Sequence, residues 1–316
     1  MGRRRKKGLD IDGVLLVDKP KGLTSFSLTE RVRRALNANK AGHTGTLDPM
    51  ATGLMVVCLG QGTKLVQMLT GQSKAYEATV KLGEQTNTYD AEGEITARAE
   101  DAQVEAISTT DIEEALKAFR GTIDQRPPAF SAIKVDGQRL HALARAGEAV
   151  EAPVRTVTVH TLEMRGHTGD SFNLFIECSK GTYIRSIAHD VGQALGVGAH
   201  LTALRRTLVG PWSVVDAMPL ETLQEVGLEG VKMLSLTDAT VELPTVQLQG
   251  RALDDVAHGR PTQVSGVAEG RARGLDGDGR LRALLDVEAS GRAKVVRGFT
   301  LPVVAPATVA ETPREP

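Results

Sequence analysis

Gly42-His43-Thr44-Gly45-Thr46-Leu47-Asp48-Pro49-Met50-Ala51-Thr52-Gly53 decides how the rest of this chain is read. Its glycines and proline make it a tightly turned loop and not a helix. The apolar run Leu54-Met55-Val56-Val57-Cys58-Leu59 follows at once and reads as a buried strand. One carboxylate, Asp48, and one imidazole, His43, therefore sit on a loop anchored to a rigid element, a placement that reactive groups often share. Taken alone, the stretch also fits an ordinary turn whose Asp bonds its own backbone while Pro49 sets the exit.

Working outward, 316 residues can bury a large core and suggest about two domains. One Trp, three Tyr and six Phe leave Val, Leu, Ile and Ala to fill that core, so each Tyr is worth locating. Cys58 and Cys178 lie in apolar strand-like runs and read as buried free thiols, with no disulfide framework and no Cys/His metal site. Ile11 to Val17 is too short and too acidic for a signal-peptide core, and no apolar run reaches membrane-spanning length. A soluble, cytoplasmic protein is expected.

The net charge of −1 averages opposed blocks. Residues 1–43 carry eleven Lys/Arg against four Asp/Glu, whereas residues 84–114 carry ten acids against Arg98 alone. Segment 120–145 is again basic, with Arg120, Arg126, Lys134, Arg139 and Arg145. Such segregation can give one face a positive field suited to a polyanion; solvated charged faces are the plainer alternative for any single block.

Val14–Val17 reads as a strand, and Ser27 with Glu30 as a capping box opening a helix that turns Leu28, Val32, Ala35 and Leu36 inward. Thr63–Leu69 reads as a short helix; Tyr76, Ala78, Val80 and Leu82 alternate on a strand. Thr110 and Glu113 are placed at the cap of a further helix. Residues 124–152, with Pro127-Pro128, Gly137 and Gly147, form a weakly cored basic excursion. Strands at Val154–Met164 and Phe172–Cys178 lead through Lys180-Gly181 into a helix. After Leu243-Pro244 come short β-like runs separated by Gly and Asp. The expected organisation is a disordered basic arm at 1–11, a catalytic domain at 12–245 containing the 124–152 excursion, a β-barrel-like domain at 246–303, and a disordered tail at 304–316.

Three more motifs bear on the opening loop: Lys74-Ala75-Tyr76-Glu77, Ser179-Lys180-Gly181-Thr182-Tyr183-Ile184-Arg185, and Gly198-Ala199-His200-Leu201-Thr202-Ala203-Leu204-Arg205-Arg206. With the Asp48 loop, with Leu16-Val17-Asp18-Lys19-Pro20-Lys21-Gly22 and with Pro127–Lys134, they closely resemble the signature of the TruB family, the bacterial tRNA pseudouridine(55) synthases. The resemblance spans about residues 12–300. It departs from the family at Thr86-Asn87-Thr88-Tyr89-Asp90, where the family reads Thr-Asp-Thr before its Asp, and at His141, where a tyrosine is common.

The resemblance implies an α+β fold: a mixed, mainly antiparallel sheet with helices, plus a small C-terminal PUA-like β-barrel, the 124–152 excursion being an RNA-gripping thumb. It implies isomerisation of the T-loop uridine 55 of tRNA, by cleavage of the glycosidic bond and re-attachment through C5. The chemistry suits the residues. Glycoside hydrolysis uses two carboxyl groups, one of them serving water or attacking the sugar. Here the base must recombine, so a single nucleophilic carboxylate in a water-poor pocket suffices. By resemblance that nucleophile is Asp48, and Arg185 is the cation that keeps it charged. Tyr76 is the base-stacking tyrosine and a candidate to take the C5 proton, and His43 pushes into the RNA as the base flips. Tyr183 and Leu204 contact substrate; Lys19, Lys64, Arg205 and Arg206 are candidate phosphate contacts, with structural roles as the alternative. The partner is a tRNA T-arm stem-loop. No metal, no organic cofactor, no membrane and no obligatory protein partner are expected, and the chain is expected to be a monomer.

Competing patterns fail. Gly60-Gln61-Gly62-Thr63-Lys64 lacks phosphate-loop spacing, no Gly-x-Ser-x-Gly elbow occurs, and the histidines lack metal spacing. Two readings stay beside the first: a guide-RNA-dependent pseudouridine synthase, which shares the Asp loop, and a non-catalytic RNA-binding protein.

Overall fold

The run after the Asp48 loop is the spine of the main sheet. The computed structural model describes residues 8–131, 133–135, 138–140 and 152–300. The first strands are β1 (Gly13–Lys19), β2 (Ala41–His43), β3 (Thr52–Leu59) and β4 (Lys74–Leu82). A side hairpin, β5 (Glu84–Thr86) and β6 (Ile95–Arg98), precedes β7 (Gly121–Gln125) and the small pair β8 (Lys134–Val135) and β9 (Gln138–Arg139). Then come β10 (Arg155–Thr168), β11 (Ser171–Cys178), β12 (Ala199–Val209), β13 (Trp212–Ser213) and β14 (Met218–Pro219).

Ten of these build one sheet, in the order β14-β1-β3-β12-β4-β11-β10-β7, with β2 on β3 and β13 on β12. The β1/β14 and β3/β12 pairs are parallel and the rest antiparallel. This is the expected mixed, mainly antiparallel sheet. The decisive step is the late insertion of β12 between β3 and β4. It sets Arg205 and Arg206 beside Thr52 and Gly53 on one edge and beside Glu77 and Tyr76 on the other.

Helices α1 (Ser25–Ala35), α2 (Val66–Thr70), α3 (Asp101–Glu105), α4 (Thr109–Lys117), α5 (Ile184–Ala194) and α6 (Leu220–Val226) flank the sheet. Leu28 and Val32 of α1, Ile112 and Leu116 of α4, Ile187 and Val191 of α5, and Leu220 and Leu223 of α6 join the strand side chains in one core. Two helix starts differ from the sequence expectation. The N-cap of α1 is Thr24, whose hydroxyl accepts from Ser27 N at 3.0 Å, while Glu30 pairs with Arg33 at 2.9 Å. Helix α4 is capped by Ser108 with Asp111, and Glu113 pairs with Arg120 at 3.0 Å. In both places a second Ser/Thr lay closer to the chain's entry, and spacing alone could not rank the two. The helix expected at Thr63–Leu69 is a 3-10 turn over Gly60–Leu65 running into α2.

The chain divides into two compact units between Met233 and Leu234. Residues ahead of Leu243-Pro244 already belong to the second: Thr237 donates to Gly279 O at 3.1 Å and accepts from Arg273 at 3.1 Å. That unit holds β15 (Thr245–Gln247), β16 (Thr262–Gln263), β17 (Gly270–Leu275), β18 (Leu281–Val287) and β19 (Arg292–Gly298), in the order β15-β17-β18-β19-β16. An unexpected helix α7 (Gly250–Ala257) packs Val256 onto Val246, Ala272 and Leu285. The curled five-stranded sheet is consistent with a PUA-like half-barrel. About half of the 124–152 excursion, much of the expected basic arm and all of the expected tail lie outside the described residues.

Gly53 shows how closely β12 approaches. Its φ is +101°, and an added Cβ would lie 2.3 Å from the Arg206 carbonyl oxygen. Gly53→Ala should therefore cost about 1–3 kcal/mol in backbone strain alone, plus the displacement of β12. Gly22→Ala, also at positive φ but facing open space, should cost less. Urea denaturation of the two variants checks the order.

Candidate active site

The Asp48 loop has no regular structure, so its backbone groups need other partners. Ser25, buried in the first turn of α1, donates to Leu47 O at 2.9 Å and accepts from Leu47 N at 2.7 Å. Lys19 Nζ donates to Pro49 O at 3.2 Å and Ala51 O at 2.6 Å. Arg206 donates to Gly45 O at 3.2 Å and Leu54 O at 2.7 Å, one on each side of the loop. Leu47, Met50 and Ala51 are buried in the core. Between the buried Leu47 and Met50, Asp48 keeps 34 % of its side chain exposed.

Arg185 lies in the first turn of α5, whose buried face carries Ile184, Ile187, Ala188 and Val191. Its guanidinium is 5 % exposed, and Nε meets Asp48 Oδ2 at 2.9 Å. Its other nitrogens reach Asp90 Oδ2 at 3.4 Å, Thr88 O at 2.8 Å and Phe130 O at 3.0 Å. Asp90 is itself fixed, accepting from the Thr88 hydroxyl at 2.6 Å and Glu92 N at 3.1 Å. Burial pushes the Asp48 carboxyl above its ordinary range and Asp90 adds to that, while Arg185 and Lys19 pull it back down. A cation offsets what desolvation would otherwise protonate.

Tyr76 is 7 % exposed on β4, its hydroxyl toward Arg206, and burial pushes its phenol up. Tyr183 caps α5 and is held by Gln125, which accepts from Tyr183 N at 2.7 Å and donates to its carbonyl at 3.0 Å. Asp48 raises the phenols of Tyr183 and Tyr76 alike, so both rings lie within its field. Leu204 lines a cleft of about 520 Å³ with Met50, Ala78 and Leu174, and Lys21 and Arg205 also line it. His43 ends β2 with Nδ1 buried and unpartnered. Burial and then Arg206 hold its imidazole below the usual range, so it is neutral near pH 7.

Two of the candidate phosphate contacts have the surroundings of their structural alternative. Lys19 is fully buried, its ammonium spent on carbonyls and held down to about 8 by burial. Arg206 is 2 % exposed and turned inward. Both sit on the inward phase of strand alternation, Lys19 after Leu15 and Val17, and Arg206 after Leu204. Arg205 points the other way and is forked onto Asp18 at 2.6 and 3.1 Å. Lys64 is half-buried and donates to Gln61 Oε1 at 3.1 Å. Sequence reasoning gave Asp90 no role, although the Thr86–Asp90 turn was singled out. It also missed the stack of Tyr89 on His189, with ring centroids 3.8 Å apart and planes at 10°.

Residues 33–184 match the family described as TruB family pseudouridylate synthase (N terminal domain), and residues 185–238 match the tRNA pseudouridylate synthase B C-terminal domain. The chain belongs to the TruB family. It is 47 % identical over 285 residues to the tRNA pseudouridine synthase B of Aromatoleum aromaticum, covering 89 % of this chain and 90 % of that one. Against the tRNA pseudouridine synthase B of Stutzerimonas stutzeri it is 42 % identical, covering 92 % and 97 %. Among solved structures it resembles a chain of an H/ACA RNP bound to a substrate RNA containing 2'-deoxyuridine, with TM-score 0.69 and 26 % identity, covering 92 % and 85 %. A chain of a Cbf5-Nop10-Gar1 complex gives TM-score 0.69 at 27 % identity, covering 91 % and 84 %.

Within this TruB-family site, Arg185→Met should cost about 3–5 kcal/mol, because it strands a buried carboxylate, Asp90, beside Asp48. The sign with pH follows from the direction of the carboxyl. A folded-state carboxyl above its unfolded value costs stability once the pH passes the unfolded value, and Arg185 is what limits that cost. The deficit of the variant should be small in acid and grow as pH rises. Denaturation at several pH values measures it; a deficit that shrinks with rising pH would contradict the network.

Proposed function

We propose that this protein isomerises uridine 55 in the T-loop of tRNA to pseudouridine, cleaving the N-glycosidic bond and rejoining the base through C5. One observation carries the reading: a half-buried carboxylate, Asp48, is ion-paired at 2.9 Å to a buried arginine that is otherwise immobilised. Family membership and the relatives named tRNA pseudouridine synthase B support the substrate.

The base is stacked in the T-loop and must be extruded to reach Asp48. His43, neutral and at the end of a short strand, fills the space the base leaves. Tyr76 and Tyr183 supply aromatic surface, and Leu204 with Met50 supplies apolar wall that excludes water. Ionised Asp48 attacks the nucleoside, the bond from sugar to N1 breaks, the base turns, and C5 bonds to the sugar in its place. The C5 proton leaves to a base, for which Tyr76 is the candidate. No atom is gained or lost overall. Water exclusion matters because a trapped water would capture the opened glycosyl centre.

The protein acts on a T-arm stem-loop as a single chain in the cytoplasm, with residues 124–152 gripping the RNA and the second unit, which begins at Leu234, forming the PUA-like domain. A second reading, guide-RNA dependence, rests on the likeness to the Cbf5 complex chains. Pseudouridine mapping on a bare T-arm hairpin treated with the purified protein separates them. Conversion without a guide or a partner supports the first; conversion only with a guide RNA overturns it.

Asp48→Asn should abolish conversion while leaving hairpin binding nearly intact, since the amide keeps the shape but is a far weaker nucleophile. Because Asp48 must be ionised and its carboxyl is raised, the wild-type rate should fall with acid at a higher pH than the ordinary aspartate value of 3.8 would give. Single-turnover rates against pH, with binding measured in parallel, check both. Retention of more than a small share of the wild-type rate would remove Asp48 from the nucleophile role.

Stacking on an aromatic face is worth roughly 1–3 kcal/mol per base, so Tyr76→Leu should weaken binding of the extruded base and Tyr76→Phe should not. The Phe variant should bind hairpin normally and yet convert slowly. Equal, wild-type turnover in both would make Tyr76 a core residue only.

A further inference from the structure

Arg206 and Tyr76 stand directly opposite each other in the β4/β12 ladder. Both are buried, so both point to the same side of the sheet, where directly opposed side chains are close enough to interact. The guanidinium bonds the carbonyls of Gly45 and Leu54 on either side of the Asp48 loop, and it also touches Met55 Sδ at 3.0 Å. Among the described residues, the one acidic group that acts on Arg206 is the Tyr76 hydroxyl. Its other titratable neighbours are the cations Lys19 and Lys74 and the imidazole of His43. A buried charge left without a carboxylate is costly, and a fold that needed only loop bracing could use a neutral donor there.

We propose that Arg206 is a positioning residue of the reaction, bracing the Asp48 loop at both ends and presenting its buried positive charge to the Tyr76 oxygen, so that this oxygen accepts the C5 proton. The inference rests on the isomerisation proposed above and deepens it. In the step concerned, the C5–H bond breaks, its electron pair forms the C5=C6 double bond, and the N1=C6 pair moves onto N1, which takes up a proton to give the neutral product. The C5 proton passes to the Tyr76 oxygen, which must be ionised to receive it and becomes a neutral phenol. The groups facing that oxygen are Arg206 from β12, Cys178 from β11 and Asp48 from the loop. Burial, Cys178 and Asp48 all push the phenol up, and Arg206 alone pulls it down. Arg206 is therefore the group that limits the upward push on the phenol.

The test uses the full-length protein and a T-arm hairpin whose target uridine carries hydrogen or deuterium at C5, with single-turnover rates measured across pH. Arg206→Gln keeps a donor and comparable bulk but loses the charge. Positioned acid–base groups contribute about 10²–10⁴-fold, so its rate should fall by at least about 10²-fold. Deuterium should slow it more than it slows wild type, because C5–H cleavage now limits the rate. Its rate should also climb over a more alkaline range than that of wild type. Arg206→Lys, which keeps the charge, should show the wild-type isotope effect whatever its melting temperature, and in a Tyr76→Phe background Arg206→Gln should add little further loss. An Arg206→Gln variant that is slow but has wild-type isotope and pH behaviour would reduce Arg206 to a structural brace. If wild type forms no pseudouridine at all, the function proposed above fails; an active wild type with an isotope-silent Gln variant overturns this inference alone.

Discussion

A single buried guanidinium, Arg185, holds two carboxylates, and the site depends on the unequal way it holds them. Asp90 is locked by the Thr88 hydroxyl and the Glu92 amide, and two of the arginine's remaining donors go to the carbonyls of Thr88 and Phe130. Asp48 meets only the Nε edge. The cation is therefore held in place independently of Asp48, and in the reaction proposed above it would not follow Asp48 toward the substrate. With Asp48 as the sole partner, the arginine would be free to travel with the nucleophile and would oppose the attack. Two carboxylates on one cation also leave a net negative centre, which burial and mutual repulsion would protonate. Lys19, close enough to pull the Asp48 carboxyl down, offsets part of that.

The loop bearing Asp48 is held by the same economy of charge. Its carbonyls are satisfied by Ser25, Lys19 and Arg206 rather than by strand or helix partners. Of the two cations, Lys19 also pulls the Asp48 carboxyl down, whereas the charge of Arg206 meets the Tyr76 hydroxyl. The topology makes this possible. Because β12 is the late strand slipped between β3 and β4, a residue far along the chain reaches the base of the early loop. Gly53 is the matching constraint from the loop's side, since only a residue without a side chain lets β12 lie so close.

Much of this was legible in the sequence, and the limits are physical. Loop character at residues 44–51, though not at the Gly42-His43 and Thr52-Gly53 ends that join β2 and β3, followed from backbone restrictions, and the strands Lys74–Leu82 and Ser171–Cys178 from period-two alternation, all local properties. The pairing of Asp48 with Arg185 came from family resemblance, because no local rule joins residues so far apart. What misled was residue type read without phase. Arg205 and Arg206 are neighbours of one chemistry, yet alternation sends the first outward to Asp18 and the second inward to the loop carbonyls. Lys19 continues the buried series Leu15, Val17, and phase again favours the structural one of its two readings. The second carboxylate on Arg185 stayed hidden because Asp90 lies in a turn whose tertiary partner, α5, arrives about a hundred residues later.

That turn carries the remaining tension in the site. Tyr89 has φ +64°, a left-handed conformation that costs a bulky residue about 1–3 kcal/mol. It lies between Thr88, whose carbonyl binds Arg185, and Asp90, whose carboxylate does so too. The ring is laid flat on His189 of α5, the helix that also bears Arg185. An aromatic pair of this kind returns about 0.5–1.5 kcal/mol beyond its burial, comparable to the strain it opposes. Leu201 N donates to the Tyr89 carbonyl at 3.1 Å and ties the same turn to β12. A single strained residue thus joins the turn, α5 and β12, the elements that supply Asp90, Arg185 and Arg206. The position of the cation between its two carboxylates is set less by any one ion pair than by how firmly that turn is seated.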